Sequence, residues 1–200
     1  MSKKDTNTED KILKAANKVF TQKGFAATRT RDIAAEAGIN LALLNYYFRS
    51  KKKLFDIVML ENLKKFLVVN LKDIFNNEKL SINQKVQEVV SKYTILLKSN
   101  PDLPIFILNE IKNNPQQLAQ NLGAREIIFQ SHFFKQLQSQ TTVKISPKQV
   151  IINILGLTLF PFIAKPLIKN IMDMDSEDFD DFVDERNHLI PIWIDAILKE

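Results

Sequence analysis

The sequence predicts an all-α protein, a small three-helix head on a larger, wholly helical body. Three observations predict it. Apolar residues recur at i, i+3, i+4 and i+7 along most of the chain. Gly24, Gly38, Pro101, Pro115 and Pro147 punctuate those stretches, and nothing reads as a strand. Charge is also divided: residues 1–54 hold 12 basic against five acidic groups, residues 55–200 hold 16 against 18. A basic quarter on a near-neutral, greasier remainder suggests a nucleic-acid-binding head on a body with another task.

The chain has 200 residues, 45% of them hydrophobic, enough to bury a sizeable core. Cysteine is absent, which excludes disulfides, thiol catalysis and cysteine-based zinc sites. His132 and His188 have no ligand partners in the sequence, and four glycines leave no Gly-rich phosphate loop. The run Asp173 to Glu185 holds eight acids but lacks calcium-loop spacing. No nucleophile–base pairing stands out. The expectation is no catalytic residue, no metal and no cofactor. MSKKDTNTED lacks the apolar stretch of a signal peptide. The apolar run Val150 to Ala164 is shorter than the roughly 20 residues a membrane span needs. The expectation is therefore a cytoplasmic protein that does not enter a membrane.

In the first helix Ile12, Leu13, Ala16, Val19 and Phe20 form one apolar face, and Gly24 is its stop. Ile33, Ala34 and Ala37 mark a short second helix ended by Gly38, which supplies the positive φ of a tight turn. Asn40 caps a third short helix, with Leu44 and Tyr47 or Phe48 facing inward. Two short helices around a glycine-centred turn form a helix-turn-helix. Ser50 then caps a long helix, residues 51–76, with Lys51, Lys52 and Lys53 in its first turn. Lysines there oppose the helix dipole, which an anionic partner would offset.

In the body, Ile82, Val86, Val89, Tyr93 and Leu96 mark a long helix broken at Asn100-Pro101. A short helix spans Pro104 to Ile111, and another runs from Pro115 to about Gln140. Ser146-Pro147 opens a run to Asn170, bent at Pro161 with Pro166 a second candidate bend, and Ser176 starts the last helix.

From Asp10 to about Val58 the sequence resembles the TetR/AcrR-type bacterial transcriptional repressors. The resemblance rests on Lys11-Ile-Leu-Lys-Ala-Ala16, Val19-Phe20, Lys23-Gly-Phe-Ala-Ala-Thr28, Arg31-Asp-Ile-Ala-Ala-Glu-Ala-Gly-Ile-Asn40, Tyr47-Phe48, Ser50-Lys51 and Leu54-Phe55. Ala42 and Asn45 stand where many members carry a glycine or proline and a tyrosine, so the base preference is this chain's own.

The resemblance implies a DNA-binding domain, residues 1–54, and an effector-binding and dimerisation domain, residues 55–200. The helix Leu41 to Tyr47 would enter the major groove. Leu41 and Ala42 would meet thymine methyls, and Asn45 and Tyr46 would reach bases or phosphates. Asn40 is an N-cap or a base reader. Thr28, Arg31, Tyr47 and Lys51 match the family's phosphate-contacting positions, with Arg29 and Thr30 as additions. In the body, Tyr93, Phe106, Asn109, Glu110, Phe129 and Phe133 are candidates for the lining of a small hydrophobic effector's pocket. Ile151, Leu155, Leu159, Leu189, Trp193 and Ile197 are candidates for a dimer interface between terminal helices. The implied function is a ligand-responsive repressor, homodimeric on a near-palindromic double-stranded operator. The alternative is a DNA-binding regulator whose body is a protein-interaction module without a small ligand.

Overall fold

A computed structural model describes residues 3–140 and 145–199, and every regular element in them is helical. The head comprises α1 (Lys3–Ala27), α2 (Thr30–Glu36) and α3 (Leu41–Tyr47). Gly24 interrupts α1 at φ 72° and ψ 168°, a conformation essentially reserved for glycine. Gly38 makes the turn between α2 and α3 at φ 65°. Ile12, Ala16, Phe20, Ile33, Ala34, Leu44 and Phe48 are buried together, so three short helices share one small core. Tyr47 is only half-buried.

α4 (Lys51–Lys65) starts on Ser50, whose Oγ accepts the Lys53 N–H at 3.1 Å. It continues through a π-helical segment, Phe66–Leu71, into α5 (Lys72–Asn76). The expected helix over 51–76 is thus continuous, with one widened turn in its middle.

The rest of the body is α6 (Ile82–Ser99), α7 (Leu103–Asn113), α8 (Pro115–Leu122), α9 (Ala124–Phe129), α10 (His132–Gln140), α11 (Pro147–Ile163), α12 (Lys165–Ile171) and α13 (Ser176–Lys199). The single helix expected from Pro115 to Gln140 is instead three. Gly123 turns left-handed at φ 57°, and Ser131 breaks the chain again. There the Ser131 hydroxyl donates to the Ile128 carbonyl and accepts the Phe134 N–H. α13 lies along α6 and against α11.

Pro161 sits inside α11 without breaking it. Its missing N–H leaves the Leu157 carbonyl without a helical partner, and Arg186 of α13 donates to that oxygen at 2.9 Å. The Arg186 guanidinium lies over the Trp193 ring at 5.2 Å, and burial pulls its pKa below the ordinary value. The sharp bend, 70°, falls between α11 and α12, at Ala164 just before Pro166. No single helix among the described residues is long and apolar enough to cross a membrane.

Lys85 is fully buried on α6. Its Nζ donates to the Phe75 carbonyl at 3.2 Å and to Gln136 Oε1 at 2.8 Å, and lies 2.9 Å from His132 Nδ1. These contacts tie α6 to α5 and α10. Burial pulls the amine's pKa below its ordinary 10.5. The folded chain therefore releases this proton at lower pH than the unfolded chain, and stability must rise with pH as 10.5 is approached. Urea unfolding across that range should show the rise in the wild type, and Lys85→Met should remove this contribution.

Candidate nucleic-acid interface and body cavity

α3 is held by few residues. Asn40 Oδ1 accepts the Leu43 N–H at 2.8 Å, so the N-cap role of Asn40 is the one the structure displays. Leu44 anchors the helix in the core at 1% exposure. Leu41, Ala42, Asn45 and Tyr46 are all exposed, Tyr46 at 79%. The Tyr46 and Tyr47 rings meet edge-on, 5.4 Å between centroids. Arg29, Arg31, Arg49 and Lys53 are exposed and form no ion pair among the described residues. The acids that would neutralise this region are taken elsewhere. Lys18 binds Glu36 at 2.7 Å, Lys52 binds Asp56, and Lys23 binds Asp32 at 3.2 Å. The Lys23 bond, with the Arg29 N–H, holds the Asp32 carboxyl below the usual carboxylate range.

Two expected phosphate contacts, Thr28 and Lys51, carry internal tasks. Thr28 is 1% exposed, and its hydroxyl donates to the Gly24 carbonyl at 2.7 Å. Its side chain holds the turn and does not face outward. Lys51 Nζ donates to the carbonyls of Phe25 at 2.7 Å and Thr28 at 2.9 Å, and sits over the Phe25 ring at 4.3 Å. The lysine therefore fastens the start of α4 to the turn before α2, and two of its three donors are used there. Sequence spacing did not reveal the partners of Lys51, which lie 26 and 23 positions away.

The head meets the body through groups that sequence reasoning missed. Asp102, just before α7, accepts the Phe25 N–H at 2.6 Å. Asn62 of α4 donates to Asn17 of α1 at 2.8 Å and to Asn100 at 3.0 Å. Phe55 packs against Phe20, Phe25 and, in the body, Phe106.

The body encloses a cavity of about 380 Å³ between α4, the π-helical segment, α6, α7, α8 and α11. Tyr93 and Phe133 line it, as expected, together with Phe66, Val86, Val89 and Ile107. Tyr93 carries the one polar side-chain atom of that lining. Burial pushes its phenol pKa upward, so it stays neutral. Four expected lining residues lie elsewhere. Phe106 is buried against Phe55 instead, and Phe129 is 42% exposed on a separate surface groove. Asn109 is exposed, and Glu110 is bound by the Asn114 amide on the outer side of α7. Burying such polar groups against a hydrocarbon wall without partners would cost free energy.

The terminal helices show a related shift. Ile151, Leu155 and Leu159 are half-buried and line the cavity, as does the exposed Ile152. Leu189, Trp193 and Ile197 are half-buried on α13. The outermost apolar side chains are Ile152 and Phe160 of α11 and Ile192 of α13, each 60% or more exposed. α11 is apolar almost all round, so periodicity alone did not separate its two faces.

A helix-turn-helix head with an exposed third helix, on an all-helical body, is the arrangement of DNA-binding regulators. The profile of the family described as bacterial regulatory proteins, tetR family, matches residues 12–58. The probable HTH-type transcriptional regulator YttP of Bacillus subtilis (strain 168) is 21% identical over 200 residues, covering 96% of this chain and 95% of its own. A TetR/AcrR-family regulator of Thermobifida fusca YX-ER1 has the same fold, with a TM-score of 0.64 at 18% identity, covering 90% of this chain and 94% of its own. The regulator FadR of Bacillus subtilis, solved in complex with stearoyl-CoA, superposes with a TM-score of 0.59 at 20% identity, over 91% of this chain and 97% of its own. The chain is thus similar to transcriptional regulators of the TetR type, by its head over residues 12–58 and by its fold along nearly its whole length.

Lys51→Met should lower the unfolding free energy by about 1–3 kcal/mol, since the carbonyls of Phe25 and Thr28 lose their partner. Asn40→Ala should cost about 1 kcal/mol through the lost cap. Urea titrations followed by circular dichroism would measure both.

Proposed function

We propose that the protein is a ligand-responsive repressor that binds a near-palindromic operator as a homodimer in the cytoplasm. Residues 1–54 form the DNA-binding domain and residues 55–200 the effector and dimerisation domain. The observation that carries the reading is the outer face of α3, where Leu41, Ala42, Asn45 and Tyr46 are exposed beside unpaired arginines. Leu41 and Ala42 offer apolar contact to thymine methyls, and Asn45 offers a bidentate amide to adenine. Arg31 contacts phosphate. Tyr47 and the third Lys51 donor join it from the helix edges.

The cavity supports the effector half of the proposal. Its volume lies within the ~300–1,000 Å³ of small-molecule sites, and its hydrocarbon lining suits an apolar molecule. A long acyl chain fits that chemistry, and the structurally similar FadR was solved with stearoyl-CoA. An apolar cavity of this volume also favours a small ligand over a body that serves only as a protein-interaction module. Dimerisation uses the α11–α13 surface, where Ile152, Phe160 and Ile192 are exposed.

Selection of binding sites from random double-stranded DNA tests the reading. A symmetric consensus is the expected result, and binding with no enriched sequence would refute it. With that operator, Asn45→Ala should relax base preference at one position in each half-site, costing about 1–3 kcal/mol. Arg31→Ala should weaken all sequences alike and reduce the salt slope by about one phosphate. Ile192→Asp should give a monomer by light scattering.

A further inference from the structure

α7 touches two regions at once. Its cavity side carries Ile107 and Ile111, both in the lining. Its other side faces the head: Asp102 immediately precedes the helix, and Phe106 packs on Phe55 at 6.3 Å between ring centroids. Asp102 accepts the backbone N–H of Phe25 at 2.6 Å. The residue beside it, Gly24, also lies against this carboxylate: an added Cβ would stand 3.4 Å from Asp102 Oδ2, in van der Waals contact. Gly24 is also where α1 breaks, and its carbonyl holds the Thr28 hydroxyl just before α2. The Phe25 carbonyl in turn receives Lys51 from α4.

A backbone N–H at a helix break has no helical acceptor of its own. The body supplies one here, from a residue 77 positions away. Water offers a replacement acceptor, but without the geometric constraint that a carboxylate mounted on α7 imposes.

We infer that Asp102 is the positioning residue through which α7 sets the orientation of the DNA-reading head, and that occupancy of the cavity reaches the head by displacing this carboxylate. The inference rests on the proposed roles of head and cavity. A ligand that pushes on Ile107 and Ile111 moves the N-terminal end of α7 with them, because eleven residues of helix behave as one rigid unit. The turn after Gly24 then loses or shifts its acceptor, and α2 and α3 follow through Thr28 and Lys51. The ligand drives the change only by its preference for the displaced arrangement.

The test needs neither operator nor effector, so its failure is separable from failure of the regulatory reading. The chain contains no cysteine. Spin labels at Ala35→Cys in the head and Gln87→Cys in the body, diluted with unlabelled protein, therefore report one head–body distance. Asp102→Ala should broaden or shift that distance, and Asp102→Asn, which keeps an oxygen acceptor, should restore it. Ile111→Trp, which fills the cavity from one wall, should shift the distance with Asp102 present and not in the Asp102→Ala background. An unchanged distance in Asp102→Ala overturns the inference. So does an Asp102→Asn variant as displaced as Asp102→Ala, or an Ile111→Trp effect that is absent or equal in both backgrounds. Amide exchange in the wild type guards against variants that fail to fold. The Phe25 amide should exchange at least about 100-fold more slowly than a free amide. Exchange at the free rate overturns the assignment.

Discussion

Backbone polar groups in the turn from Gly24 to Thr28 lie where α1 has broken and α2 has not begun, and partners from beyond the turn complete their bonding. Lys51 binds the Phe25 and Thr28 carbonyls, Asp102 accepts the Phe25 N–H, and the Thr28 hydroxyl takes the Gly24 carbonyl. A buried backbone group without a partner costs as much as a lost hydrogen bond, so each contact constrains the chain around it. The placement of α2 and α3, of the start of α4 and of α7 all refer back to this turn. The aromatic cluster of Phe20, Phe25 and Phe55 fills the space beneath it.

The body solves a similar accounting problem at Pro161. Arg186 reaches from α13 to the carbonyl that the proline leaves free, and its guanidinium stacks over Trp193. Lys85 likewise gathers acceptors from α5 and α10. Long cationic side chains thus act as internal fasteners in three places, at Lys51, Lys85 and Arg186. In each, the charged end meets uncharged oxygens or a ring rather than a carboxylate.

Local signals in the sequence carried much of the fold. Gly24 and Gly38 have positive φ, Asn40, Ser50 and Ser81 accept N-terminal amides, and Ser146-Pro147 opens α11, because these effects act within four residues. The head's outward residues were legible for the same reason: a seven-residue helix with one buried anchor exposes the rest. What failed to show was tertiary. Periodicity marks an apolar face but not what it meets, so the place of Ile151, Leu155 and Leu159 in the cavity lining did not show in the sequence. Phe106 and Phe129 were assigned to the cavity and lie outside it. Asp102, Asn62 and Lys85 carried no local signal at all, since their partners are 10 to 77 positions away.

The exposure of α3 has an evolutionary consequence. Leu44 and the Asn40 cap bear the mechanical load of that helix, while Leu41, Ala42, Asn45 and Tyr46 bear almost none. Surface substitutions free of such duties usually change stability by less than about 0.5 kcal/mol. On the proposed reading of α3, the letters that choose a DNA site can therefore be rewritten one at a time without threatening the fold, and a duplicated gene of this kind can acquire a new regulon before it needs a new scaffold.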